Sequence, residues 1–185
     1  MRVIAGRAGG IRLNVPKSGV RPTMDRVKSA IFSSLGETVI GAHVLDLFAG
    51  SGALGIEALS RGAESALFVD EDRRSIAAIE KNLEKSRLTG RARQQEVFDF
   101  LKRADTAKKF RIIFADPPYE QTKSGEKFTE KLLADESLPK LMELQGTFVL
   151  EKRPGEELPA TKLWEIVRAR TYGATEVLFL QPHEK

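Results

Sequence analysis

Residues 44–55 read Val44-Leu45-Asp46-Leu47-Phe48-Ala49-Gly50-Ser51-Gly52-Ala53-Leu54-Gly55, and the fold is decided here. Val44 to Leu47 form a short buried strand carrying one acid, Phe48 to Gly52 a tight loop, and Ala53 to Ser60 a helix ending near Gly62. Gly50, Gly52 and Gly55 have the GxGxxG spacing between a strand and a helix, where bare backbone can approach a nucleotide-like cofactor that a side chain would strike. The same strand, turn and helix recur downstream. Ala66 to Val69 form a second apolar strand ending at Asp70, and Ile76, Ile79 and Leu83 then recur at helical spacing behind a capping Asp72. A weaker strand is expected over 91–95 and a short helix over 98–103. Arg111 to Ala115 form the next strand, which runs directly into Asp116-Pro117-Pro118-Tyr119. Helices near 127–135 and 138–143 and strands over 146–151, 164–172 and 175–181 complete the expected order. Buried strands separated by helices imply right-handed crossovers and an α/β fold with a mostly parallel sheet. The last two strands meet at Gly173-Ala174 with no room for a crossover helix, so they form an antiparallel hairpin at the sheet edge.

Upstream of this body the pattern changes. Arg2-Val3-Ile4 and Ile11 to Val15 alternate polar and apolar residues around Gly6, Gly9 and Gly10, the pattern of a small β-hairpin extension. Val27, Ala30, Ile31 and Leu35 follow at helical spacing, predicting a helix over 24–35 behind a capping Thr23. The chain therefore divides into a basic hairpin and loop over 1–22 and a body over 23–185. Charge follows the same division. The 30 basic and 26 acidic residues give +4 overall, yet residues 1–28 hold seven basic residues against Asp25 alone, giving +6. The remaining residues are slightly acidic, so the positive field belongs to the N-terminal segment, as a polyphosphate partner requires. Arg7, Arg12, Arg21, Arg26 and Lys28 are its candidate contacts to such a partner, RNA-binding residues if that partner is RNA.

Composition narrows the chemistry. The chain has 185 residues, 41% of them hydrophobic and 30% charged, which suits one globular enzyme core. No run approaches the roughly 18 apolar residues that cross a bilayer, and a soluble, cytoplasmic protein is expected. The absence of cysteine removes disulfides, thiolate metal sites and thiol nucleophiles. Two histidines, His43 and His183, cannot build a multi-histidine site, so no metal is expected. The remaining chemistry must use carboxylates, backbone groups, aromatic rings or a cofactor that carries the reactive group.

The acids around the glycine loop indicate which cofactor. Asp70 can accept from ribose hydroxyls whether the ligand is a dinucleotide or another nucleoside, with Glu71 beside it. Asp46 lies four residues before Gly50, where a pyrophosphate has no need of an anion but an amino-acid ammonium does. S-adenosylmethionine carries both an ammonium and a carboxylate, and the second can meet loop N–H groups over Phe48 to Gly52, including Ala49 and Ser51. Glu96 and Val97, beyond the third strand, are placed to contact adenine. In Asp116-Pro117-Pro118-Tyr119 the prolines stiffen the chain just past a buried strand. That holds the Asp116 carboxylate and the Pro117 carbonyl as converging acceptors for an exocyclic NH2, and Tyr119 offers a ring to stack on its base.

Three segments, RPTMDRVKSAIFSSL at 21–35, VLDLFAGSGALGIEALSRGA at 44–63 and ADPPY at 115–119, resemble the RsmD-like family of bacterial 16S ribosomal RNA guanine-N2 methyltransferases. Their order matches, as do the opening MRVIAGRAGGIRL and the closing Tyr172-Gly173, so the resemblance spans essentially the whole chain. It implies a Rossmann-like, seven-stranded, S-adenosylmethionine-dependent methyltransferase fold, with Asp46, Gly50, Gly52 and Asp70 around the cofactor. It also implies that Asp116, Pro117 and Tyr119 hold the target amine of one guanine, modified in a particle that contains small-subunit ribosomal proteins. A monomer is expected. Adenine-N6 or another amine remains a chemical alternative, because both bases present a conjugated NH2. An NAD-dependent oxidoreductase and a non-catalytic RNA-binding assembly module are alternatives of other classes.

The charge division yields a first prediction. Phosphate contacts are salt-dependent and position a nucleic acid without reading its bases. Replacing Arg12, Arg21 and Arg26 with alanine is expected to weaken RNA binding at moderate salt while leaving S-adenosylmethionine binding nearly unchanged. Unaltered RNA affinity in the folded triple variant would count against this role.

Overall fold

A computed structural model describes residues 1–16, 24–118 and 127–183. The body is one seven-stranded sheet in the order β3-β2-β1-β4-β5-β7-β6. In chain order these strands are β1 (His43–Leu47), β2 (Ser65–Asp70), β3 (Arg91–Gln94), β4 (Phe110–Ala115), β5 (Met142–Lys152), β6 (Trp164–Tyr172) and β7 (Thr175–Pro182). The first five run parallel. β7 is antiparallel to both β5 and β6, so the final strand lies inside the sheet and β6 forms the edge.

Helices cover both faces. α1 (Met24–Leu35), α2 (Ala53–Ser60) and α3 (Arg73–Ser86) pack on one face, against Val44, Phe68, Phe114 and Val149. α4 (Val97–Arg103), α5 (Phe128–Ala134) and α6 (Ser137–Lys140) cover the other, against Leu45, Val69, Ile113 and Leu150. Alternation along each strand sends successive residues to opposite layers, so a near-continuous apolar run is what a sheet covered on both faces requires. Asp72 caps α3, its carboxylate accepting from the Arg74 N–H at 2.9 Å.

The structure departs from the sequence reading in one region. The helix expected over 138–143 is shorter, and β5 begins at Met142 instead of near 146. Met142 pairs with Phe110 ahead of a register shift, and Gln145 has a φ of 61°. An irregular strand start of this kind carries no clear alternation.

The N-terminal segment is a small hairpin: Val3 donates to Ile11 O at 2.9 Å and Gly10 to Val3 O at 2.9 Å, with an antiparallel bridge between Arg2 and Arg12. It shares the core of the body through buried Val3, Ala8 and Leu13. Its anchor is Glu57 on α2, which is fully buried. The Glu57 carboxylate accepts from the Ile4 and Ala5 N–H groups at 2.7 and 3.1 Å and from Arg61 Nε at 2.7 Å, and it lies 3.4 Å from Lys28 Nζ. Burial lowers the Lys28 pKa, and the charges of Glu57 and Asp25 pull it part of the way back. Lys28 is only 3% exposed and donates its other bond to Arg2 O. The expectation that it contacts RNA is therefore corrected: its charge is engaged inside the protein.

Removing one member of a buried charge cluster leaves the others uncompensated. Glu57→Ala is expected to lower stability by about 3–5 kcal/mol and to expose the first residues to proteolysis before global unfolding. Urea titration with limited digestion checks both, and a hairpin as protected as in wild type would contradict the anchoring role.

Candidate active site

Every parallel strand delivers its carboxyl end to the same edge of the sheet, and a cleft of about 1060 Å³ opens there. It is lined by Asp46, Phe48, Ala49, Gly50, Ser51, Asp70, Glu71, Glu96, Val97, Asp116 and Pro117, so the structure gathers nearly all the residues expected at the cofactor and the target amine into one place. Gly52 starts α2 behind this wall with a φ of 75°. A Cβ there would stand 3.1–3.3 Å from Ile79, Phe68 and Ile56, in a backbone conformation that side chains disfavour. At Gly55 a Cβ would meet the Phe68 ring at 2.3 Å. These two glycines let α2 lie directly on β2. Tyr119 and Arg21 lie outside the described residues. Arg7, Arg12 and Arg26 are exposed.

The loop is held by acids from the strands. Asp46 is 2% exposed, and its Oδ2 accepts from the Gly55 N–H at 2.9 Å. Asp70 accepts from the Gly50 N–H at 2.8 Å through one oxygen and from the Asp72 N–H at 2.8 Å through the other. Each oxygen retains a lone pair for a ligand hydroxyl. Glu96 caps α4 by accepting from the Asp99 N–H at 2.8 Å, so one of its oxygens is committed to the helix. The cleft wall beside it is aromatic. The Phe98 and Phe128 rings stack with centroids 6.3 Å apart, and Phe48 meets Phe128 edge-on at 5.4 Å. Phe48 itself has a φ of 54°, a strained conformation for a residue with a side chain, at the point where the loop leaves β1.

Two residues that the sequence reading did not single out complete the arrangement. Asn82, fully buried on α3, accepts from the Asn14 N–H at 2.7 Å and donates to both Asn14 O and Ser51 O at 2.9 Å. One side chain thus joins the N-terminal segment to the glycine loop. Glu151, on β5, lines the cleft alongside Asp116. Burial, reinforced by the charges of Asp116 and Asp46, pushes its carboxyl well above the ordinary range. Asn82 falls on a helical face and Glu151 ends an apolar strand, but neither belongs to a motif.

Burial raises the Asp46 pKa to about 8, against the opposing bond from Gly55 and with help from Asp116 and Asp70. A carboxyl so poised is suited to a cationic ligand, whose charge would restore its ionised form. An ammonium is what the amino-acid end of S-adenosylmethionine offers. The loop, Asp70 and the apolar wall at Val97 and Phe98 suit the nucleoside end, so the residues present fit this cofactor.

The sheet order and the cleft at its carboxyl edge define a Rossmann-like, S-adenosylmethionine-dependent methyltransferase fold. The solved structure of yhhF from Escherichia coli, named provisionally as a methyltransferase, matches with a TM-score of 0.84 and 29% identity, over 98% of this chain and 97% of that one. The chain belongs to the family described as conserved hypothetical protein 95, whose model matches residues 1–181. YlbH of Bacillus subtilis, named provisionally as an rRNA methyltransferase, is 40% identical over 96% of both chains. The ribosomal RNA small subunit methyltransferase D of Escherichia coli is 41% identical over 65% of this chain and 61% of its own length. The family is thus related to rRNA methyltransferases.

Asp46 generates a prediction about pH. Between about pH 4, the ordinary value for an unfolded aspartate, and the folded value near 8, folded Asp46 keeps a proton that the unfolded chain releases. The wild-type contribution to stability therefore falls as pH rises through this window. Asp46→Asn removes the titration and retains an acceptor for Gly55. In urea unfolding without ligand, the variant is expected to gain on wild type between pH 5 and pH 8. A difference that does not change with pH would contradict the buried, protonated state.

Proposed function

We propose that the protein transfers a methyl group from S-adenosylmethionine to the exocyclic N2 amine of a guanine in 16S rRNA, within a small-subunit assembly intermediate. The reading is carried by one observation: Asp116-Pro117 and the loop braced by Asp46 and Asp70 line the same cleft. The likeness to the Bacillus and Escherichia coli relatives, both named for rRNA methylation, supports an rRNA substrate, and the second supports the small subunit.

The cofactor supplies an electrophilic methyl group on a sulfonium. Asp46 receives its ammonium, the first turn of α2 and the loop receive its carboxylate, and Asp70 with Glu71 receives its ribose. Val97 and Phe98 cover adenine, with the second oxygen of Glu96 turned to its amino group. The strand order then divides the cleft. β2 and β1 carry the cofactor acids, and Asp116 follows the end of β4, the next strand over. The Asp116 carboxylate and the Pro117 carbonyl accept the two hydrogens of the target NH2, which localises the nitrogen lone pair toward the methyl group. A neutral amine needs no prior deprotonation, so Asp116 acts first as a fixed acceptor; forming the N–CH3 bond would break the S–CH3 bond and leave S-adenosylhomocysteine, and the nitrogen would then shed one proton to Asp116 or to water. Tyr119 stacks on the extruded base. The exposed arginines of the N-terminal segment hold phosphates, and the protein works as a cytoplasmic monomer.

Single-turnover methyl transfer with saturating cofactor and RNA tests this site. Asp116→Ala is expected to slow transfer by roughly 10²-fold or more, with cofactor binding retained. Asp116→Asn, which keeps an acceptor oxygen but is a very poor base, is expected to retain substantially more activity than alanine. A near-wild-type rate in the alanine protein would remove Asp116 from the reaction.

A further inference from the structure

Asp116 and the Pro117 carbonyl can hold an amine, but they cannot tell guanine from adenine, because both bases present a conjugated NH2. The neighbouring strand supplies a group that can. Along β5, Phe148 and Leu150 pack into the layer under α4 and α5, while Val149 packs with Phe114 into the opposite layer. Alternation brings Glu151 out on the Val149 side. Asp46 and Asp116 alternate to that same side, from Val44 and Phe114. Ala115, the last residue of β4, pairs with Leu150, so Asp116, just past the strand end, and Glu151 follow as lateral neighbours where the two strands lie about 4.8 Å apart. Across the sheet the acids run in the order Asp70, Asp46, Asp116, Glu151. Glu151 therefore lies beyond Asp116 on the side away from the cofactor strands, where the target base must enter.

Among the described residues, no group donates a hydrogen bond to the Glu151 carboxylate, which is half-buried in the cleft wall. The adjacent Lys152 faces the other layer and is saturated by Glu176 Oε2 at 2.7 Å, Arg153 O at 2.8 Å and Glu156 O at 3.0 Å. A half-buried carboxylate at a cleft wall is open to a ligand that brings a donor.

We propose that Glu151 is a specificity-determining residue: its carboxylate accepts the N1–H of the guanine whose N2 amine is held by Asp116 and Pro117. This rests on the methyl-transfer reading above. Guanine presents N1–H and N2–H2 as adjacent donors, matched to two neighbouring acceptors. Adenine presents a lone pair at N1 beside its amine, which an ionised carboxylate repels. The ammonium and sulfonium charges that accompany a loaded cofactor favour the ionised forms of this acidic cluster. Discrimination thus comes from β5, one strand away from the residues that hold the reacting nitrogen.

2-Aminopurine separates the two roles, since it keeps the N2 amine but has a lone pair at N1. Two RNAs that differ only in guanine or 2-aminopurine at the mapped target position would be compared in single-turnover methyl transfer. Titration with S-adenosylhomocysteine serves as a separate check of folding and cofactor binding. Wild type is expected to prefer guanine by about tenfold or more. E151Q, whose amide can donate to N1, is expected to lose at least tenfold on guanine and to shift its preference toward 2-aminopurine, with cofactor affinity retained. Equal wild-type rates on the two RNAs, or an unchanged ratio in E151Q, would overturn the role of Glu151 while leaving guanine methylation standing. A wild type that binds cofactor yet methylates neither RNA would overturn both readings.

Discussion

A carboxylate buried inside a parallel sheet is the constraint from which the rest of the site follows. Asp46 is almost wholly withdrawn from water, and one backbone N–H, from Gly55, reaches it. That bond fixes the first turn of α2 against β1, and Gly55 can come so close only because it has no side chain to strike Phe68. The bond does not offset the burial, and the carboxyl holds its proton to about pH 8. The fold thus keeps a carboxyl that a cation can return to its ionised form where the ammonium of the proposed cofactor fits. The remaining acids continue this row across neighbouring strands toward the target side.

A second buried charge cluster solves a different problem. The N-terminal hairpin is too small to hold its own shape, because a two-stranded hairpin is marginal in water. Glu57 supplies the missing hold by gathering two backbone N–H groups, Arg61 and Lys28 around one carboxylate. Asn82 then ties the end of this segment to Ser51 in the glycine loop. The surface proposed to meet RNA and the loop proposed to meet the cofactor are therefore joined through a single α2–α3 layer, and neither is a free appendage.

The motifs were legible because they sit where local rules are strict. GxGxxG between an apolar strand and a helix, an acid at the end of β2, and Asp-Pro-Pro after β4 each demand particular residues at particular positions, and the sheet brings them together as expected. The antiparallel end of the sheet was readable from the short Gly173-Ala174 connection. What escaped was tertiary. Lys28 looks like one more surface cation in a basic run, and only the packing of α1 against α2 turns it toward Glu57. Glu96 is placed by the sequence to contact adenine, and its position ahead of α4 also makes it a cap. Asn82 and Glu151 acquire meaning only through partners far away in the chain, from Asn14 in the first case and Asp116 in the second. The early start of β5 was hidden by an irregular register that alternation does not reveal.

The central claim is that this cleft methylates the N2 amine of a guanine. Its most direct measurement is transfer of labelled methyl from S-adenosylmethionine into small-subunit particles from a strain lacking the gene, followed by digestion and nucleoside analysis. The account predicts label in N2-methylguanosine at one position of 16S rRNA, dependent on Asp116. Label in N6-methyladenosine, or no transfer by protein that binds the cofactor, would contradict it.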